Sequence, residues 1–116
     1  MEHYEFENLI AFNIKDTLDY VSNSVNIKHI LNKKTGNIMA LSLDYGKVYQ
    51  PEVSSFSTFL HVIEGKAEVV LNNLSSYMQN GDSMIIPSQT VYTIEANQRF
   101  KMLFIVLESG YDDLEP

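Results

Sequence analysis

The chain has 116 residues, 45% of them hydrophobic and 20% charged, enough for one packed domain and against general disorder. Fifteen acidic residues against eight basic ones give a net charge of -7, which repels phosphate backbones and anionic lipid and argues against nucleic acid or a membrane as partner. The lack of cysteine removes disulfides and thiolate chemistry; with the acidic start MEHYEFENLIAF and no apolar run near ~18 residues, it predicts a cytoplasmic protein.

Residues 1–24 read as an N-terminal arm, with apolar contacts from Phe6, Leu9 and Ile10 and one helical turn within 16–21. From Val25 the apolar residues recur with period two, which predicts a strand carrying Val25, Ile27, His29 and Leu31 on one face. Lys34-Thr35-Gly36-Asn37 has hairpin chemistry, and a second strand follows over 38–43 up to the Asp44-Tyr45-Gly46 turn. Further strands are expected over 56–63, 67–71, 76–79, 84–86, 91–96 and 100–107. The turns between them fall at Glu64-Gly65-Lys66, Asn72-Asn73 and Asn80-Gly81-Asp82, and Pro87 acts as a stop. Residues 25–108 thus form an all-β barrel or sandwich, and 109–116 an acidic tail. The strands over 58–63 and 102–107 are apolar on both faces, which predicts a second cover over the barrel and hence a homodimer.

The spacing of the turn residues carries more than fold class. From Gly46, five residues pass to Glu52, then come Ser54, Thr58 and Gly65, the spacing of G(X)5HXH(X)3E(X)6G. From Gly81, Pro87 arrives on the schedule of G(X)5PXG(X)2H(X)3N, whose glycine, histidine and asparagine fall on Gln89, Tyr92 and Ala96. In these features the chain resembles the small single-domain bacterial cupins. The resemblance implies a double-stranded β-helix, a jelly-roll barrel that commonly dimerises by packing sheets and exchanging N-terminal strands.

In metal-bearing cupins the motif histidines and glutamate converge on an ion at the barrel mouth. Here the matching positions are Glu52, Ser54, Thr58 and Tyr92: one carboxylate and three hydroxyls, a poor set for a transition metal and too few oxygens for Ca2+. No metal and no cofactor is therefore expected, and the four residues become candidate ligand-binding groups. Tyr92 can donate a hydrogen bond or stack on a ring, Glu52 can act as base or clamp, and Ser54 and Thr58 are lesser contacts. Each also has a structural reading: Tyr92 as core filler, Glu52 as a solvated loop residue, Ser54 and Thr58 as partners of backbone.

The histidines do not restore the metal set. His61 follows Thr58 by three residues and falls on the opposite strand face, His29 reads as a core or interface residue, and His3 is terminal. No second inward acid accompanies Glu52 for a glycosidase pair, and no Ser-His-Asp constellation, phosphate-cradling glycine loop or basic aromatic stripe can be placed. Three functions remain open. The first is a metal-free barrel that binds a small molecule. The second is a metal-independent isomerase or epimerase of a sugar or small metabolite, with Glu52 as base and Tyr92 as acid. The third is a non-catalytic structural or sensory dimer.

Overall fold

The structure, a computed structural model, describes residues 6–107. It contains one helical turn, α1 (Ile14–Thr17), and eight strands: β1 (Val25–Lys33), β2 (Gly36–Leu43), β3 (Val48–Tyr49), β4 (Thr58–Leu71), β5 (Leu74–Gln79), β6 (Ser83–Ile86), β7 (Thr93–Glu95) and β8 (Phe100–Leu107). The strands run in the order β1-β2-β8-β4-β7-β3, with β5 and β6 also paired to β4, and every pairing is antiparallel. The expected all-β jelly-roll barrel is what forms.

Strand β4 holds the barrel together because it belongs to both sheets. Its first half pairs with β8 and β6, and its second half with β7 and β5. The turn expected at Glu64-Gly65-Lys66 does not exist; the chain instead continues as one 14-residue strand with a register slip between Val62 and Glu64. A bulge bends a strand without ending it. Gly65, at φ +89°, completes the bend, and a Cβ there would lie 2.3 Å from the Arg99 carbonyl oxygen and 2.9 Å from Phe100 Cα. Only a residue without a side chain lets the two segments touch at this corner.

Elsewhere the local turn chemistry acts as its residues dictate. Asn72 and Asn73, at φ +51° and +63°, close the β4–β5 hairpin with Leu71 facing Leu74, the left-handed pair that a two-residue turn requires. Pro87 follows β6 directly and supplies no donor to extend it. The inward faces of the two sheets meet in a core that includes Leu41, Leu60, Val69, Ile94, Phe100, Met102 and Phe104.

Strand β1 departs from its even alternation. Val25, Ile27 and His29 face Leu43, Leu41 and Met39 across the ladder, on the inner side, but a bulge between His29 and Leu31 turns Leu31 to the outer side opposite Ile38. At this sheet edge Ile27 and His29 are exposed, so His29 is not a core residue of the chain.

The N-terminal arm covers part of the outer face of β1, β2 and β8. Its helical turn lies at Ile14–Thr17, earlier than expected, and Leu9 and Ile10 are exposed, while Leu18 is fully buried. Polar groups of the sheet satisfy the arm's carbonyls: Lys28 Nζ donates to Thr17 O at 2.7 Å, Ser42 Oγ to Asp19 O at 2.7 Å, and Lys101 Nζ to Lys15 O at 2.7 Å. Tyr20 closes the clasp, its hydroxyl donating to Glu64 at 2.7 Å beneath the cations of Lys101 and Arg99. Burial and the Glu64 carboxylate push its phenol upward. His3 and the acidic tail lie outside the described residues.

Candidate functional site

Burial along the inward faces shows which end of the barrel is open. On β2 the inward residues pass from fully buried Leu43 and Leu41 to half-buried Met39, and on β8 from buried Phe100, Met102 and Phe104 to half-buried Val106. At the Leu43 end the Asp44-Tyr45-Gly46 turn folds over the core, with Gly46 N donating to Ala96 O at 2.7 Å. The inward faces are therefore less completely covered at the opposite end, where β4 begins at Thr58.

The predicted residues gather around that end in different ways. Thr58 is buried and inward-facing, across from Ile86 and Val106. Ser54 sits in the loop that precedes β4, which is tied to the loop after β6 by Gln89 N donating to Ser54 O at 2.7 Å. Its hydroxyl accepts from Phe56 N at 3.0 Å, the backbone-satisfying role open to it from the sequence. Glu52 is exposed in the same loop. Tyr92 is 4% exposed and packed into the core, as the filler reading anticipated, and desolvation followed by the neighbouring Tyr49 raises its phenol to about 12.

Tyr49 was not singled out from the sequence, and it is the residue that links the others. It pairs with Ile94 across β3 and β7, and Tyr92, two residues before Ile94, shares that inward face. Its ring meets Phe104 edge-on at 6.1 Å between centroids. Burial and then the negative charge of Glu52 raise its phenol, so Glu52 acts on Tyr49 and Tyr49 on Tyr92. The only sequence signal for Tyr49 was its spacing after the Gly46 turn, which a two-residue strand does not advertise.

Two other observations bear on the chemistry. Gln89 adopts φ +60° at the position where the second motif carries glycine, so the backbone conformation survives the side-chain change. His61 lies on the outer face as predicted, with Nδ1 2.7 Å from Ser83 Oγ and its ring parallel to Phe59. Half-buried His61 and exposed Ser83 make a pair without an acid, not a triad.

A metal fits this donor set poorly. Among the described residues no three His, Cys, Asp or Glu side chains come together. Tyr92, the ring in the motif histidine's position, resists ionisation, and the Ser54 hydroxyl is engaged by backbone.

No family model matches the chain, and no curated relative matches it. Solved structures do. The chain is similar to a conserved protein of unknown function from Streptococcus pyogenes, at TM-score 0.83 and 16% identity over 95% of this chain and 97% of that one. A cupin superfamily protein from Desulfitobacterium hafniense gives TM-score 0.82 and 17% identity over 94% of this chain and all of the other. A cupin 2 conserved barrel domain protein from Leptotrichia buccalis gives TM-score 0.84 and 22% identity over 90% of this chain and 50% of that one. The strand topology and these superpositions make the protein a small barrel of the cupin fold.

Proposed function

We propose that the protein binds a small organic molecule in the open end of its barrel without a metal. The observation that carries this reading is the gradient of exposure along the inward faces, fully buried at Leu43 and Phe100 and half-buried at Met39 and Val106. Thr58 begins β4 at that end, Glu52 lies on the loop before it, and Tyr49 and Tyr92 share an inward face; this donor set fits hydrogen bonding to a ligand better than it fits an ion. The isomerase alternative draws less support, because the Glu52 charge bears on Tyr49 and a phenol raised to about 12 is a weak proton donor at neutral pH. A thermal-shift screen of metabolites tests the binding reading, with Met39→Trp as the control. Ligands that raise the melting temperature of the wild type and not of this variant support it. Equal shifts in both proteins place binding elsewhere and defeat it.

The expected partner is a second copy of the chain. Leu31, Ile38, Ile105, Phe59 and Ile85 occupy one row across β1, β2, β8, β4 and β6, all on the outer side of the sheet. With strands about 4.8 Å apart the row runs roughly 19 Å, and it contains no charged residue, so two chains of net charge -7 can meet there without facing like charges. Exposure of Leu31, Phe59 and Ile85 on a monomer leaves this stripe uncovered. Light scattering after size exclusion should give a dimer, and Ile105→Glu a monomer. A monomeric wild type at micromolar concentration would overturn this assignment.

A further inference from the structure

The open end of the barrel carries a one-sided set of chemical groups. Tyr49 and Tyr92 share an inward face, Phe104 lies edge-on to Tyr49 at 6.1 Å, and Met39 and Met84 pack beside the same core. Aromatic faces carry negative quadrupole charge, and thioether sulfur is soft and polarisable. The charge that acts on Tyr49 is the carboxylate of Glu52, exposed on the rim loop. Burial opposes ionisation of both tyrosines, and at Tyr49 the Glu52 carboxylate adds to it. An anion placed there would lose its water and meet the same opposition, whereas a cation would find ring faces and a carboxylate together.

We infer that the barrel mouth selects a small organic cation, an amine with an apolar body, over neutral or anionic molecules of the same size. This rests on reading the barrel as a small-molecule site. The ammonium group takes the position between Glu52 and the half-buried ring of Tyr49, and the apolar body lies toward Met39 and Met84. The hydroxyl of Thr58, buried at the start of β4, faces the same interior. Glu52 and Tyr49 are therefore the specificity-determining pair, and Tyr92 and Phe104 form the wall behind them.

Three probes of equal shape and different charge decide the matter: benzylammonium, benzyl alcohol and benzoate, titrated calorimetrically into the full chain at pH 8. Benzylammonium is expected to bind at least tenfold more tightly than either of the others. Glu52→Gln, at an exposed position that leaves the core untouched, should weaken it at least fivefold, as should Tyr49→Leu. Asp16→Asn, which removes the same charge from the exposed arm, should leave it unchanged. Equal or tighter binding of benzyl alcohol or benzoate overturns the cation inference and leaves the small-molecule reading standing. Benzylammonium binding that ignores Glu52→Gln, or that falls equally with Asp16→Asn, also overturns it, since the charge at the rim would then play no part. Failure of all three probes to bind defeats the inference, and the metabolite screen against Met39→Trp then reports separately on the small-molecule reading.

Discussion

Gly65→Ala isolates the corner on which the barrel depends. A left-handed conformation costs a residue with a Cβ about 1–2 kcal/mol, and Gly46, Gly65 and Gly81 all have φ between +84° and +89°. At Gly46 and Gly81 an added Cβ meets nothing within 4 Å, so alanine there should cost that amount and no more. At Gly65 the same Cβ would lie 2.3 Å from the Arg99 carbonyl oxygen and 2.9 Å from Phe100 Cα. Both are backbone atoms leading into β8, and neither can rotate away. Overpacking of this kind adds about 1–3 kcal/mol, for a total of about 2–5 kcal/mol. A small domain has about 5–15 kcal/mol in all. With an m-value of about 1.5 kcal/mol/M, the urea midpoint should fall by roughly 1.3–3.3 M for Gly65→Ala. The falls for Gly46→Ala and Gly81→Ala should stay near or below about 1.3 M. Equal losses at all three glycines would refute the claim that β4 turns its corner against the backbone of β8.

Other consequences can be measured in the same way. Gln89→Gly should stabilise the protein by about 1 kcal/mol, because Gln89 holds φ +60° at an exposed position where glycine carries little steric cost. Tyr92 is held neutral in the folded chain up to about pH 12 against an ordinary value of 10.0, so the unfolded state releases its proton first. Stability from this group is complete below pH 10 and should fall between pH 10 and 12 by about 1.4 kcal/mol per pH unit, a slope that Tyr92→Phe removes in urea titrations across that range. Leu18→Ala should cost about 3 kcal/mol and expose the arm to limited proteolysis, because this side chain is fully buried against the sheet.

The candidate site was partly visible in the sequence because motif spacing fixes where a backbone turns. Glu52, Ser54, Thr58 and Tyr92 could be numbered from Gly46 and Gly81, and period two placed His61 on the face opposite Thr58, where it lies. What spacing does not give is environment. Glu52 stays in solvent, Tyr92 is sealed into the core and the Ser54 hydroxyl serves backbone, differences set by what packs around each position in the closed barrel. Tyr49 escaped notice because β3 has only two residues, and its importance comes from facing Phe104, 55 positions away in the chain.

The sequence by itself determined the turns, since a φ above zero is a local property that Gly46, Gly81 and the Asn72-Asn73 pair satisfy without help from elsewhere. It also determined the inward row Thr58, Leu60 and Val62, because side chains alternate along any strand. Tertiary structure decided whether Gly65 would end a strand or bend one, because a hairpin and a bulged corner place the same demand on φ and differ only in what lies across the ladder. Pairing with β8 on one side of the corner and with β7 on the other made it a corner. Contacts beyond the local sequence likewise turned Leu31 outward and buried Leu18 of the arm against the sheet. Local stereochemistry is written residue by residue, whereas partners distant in the chain are chosen only when the whole sheet closes.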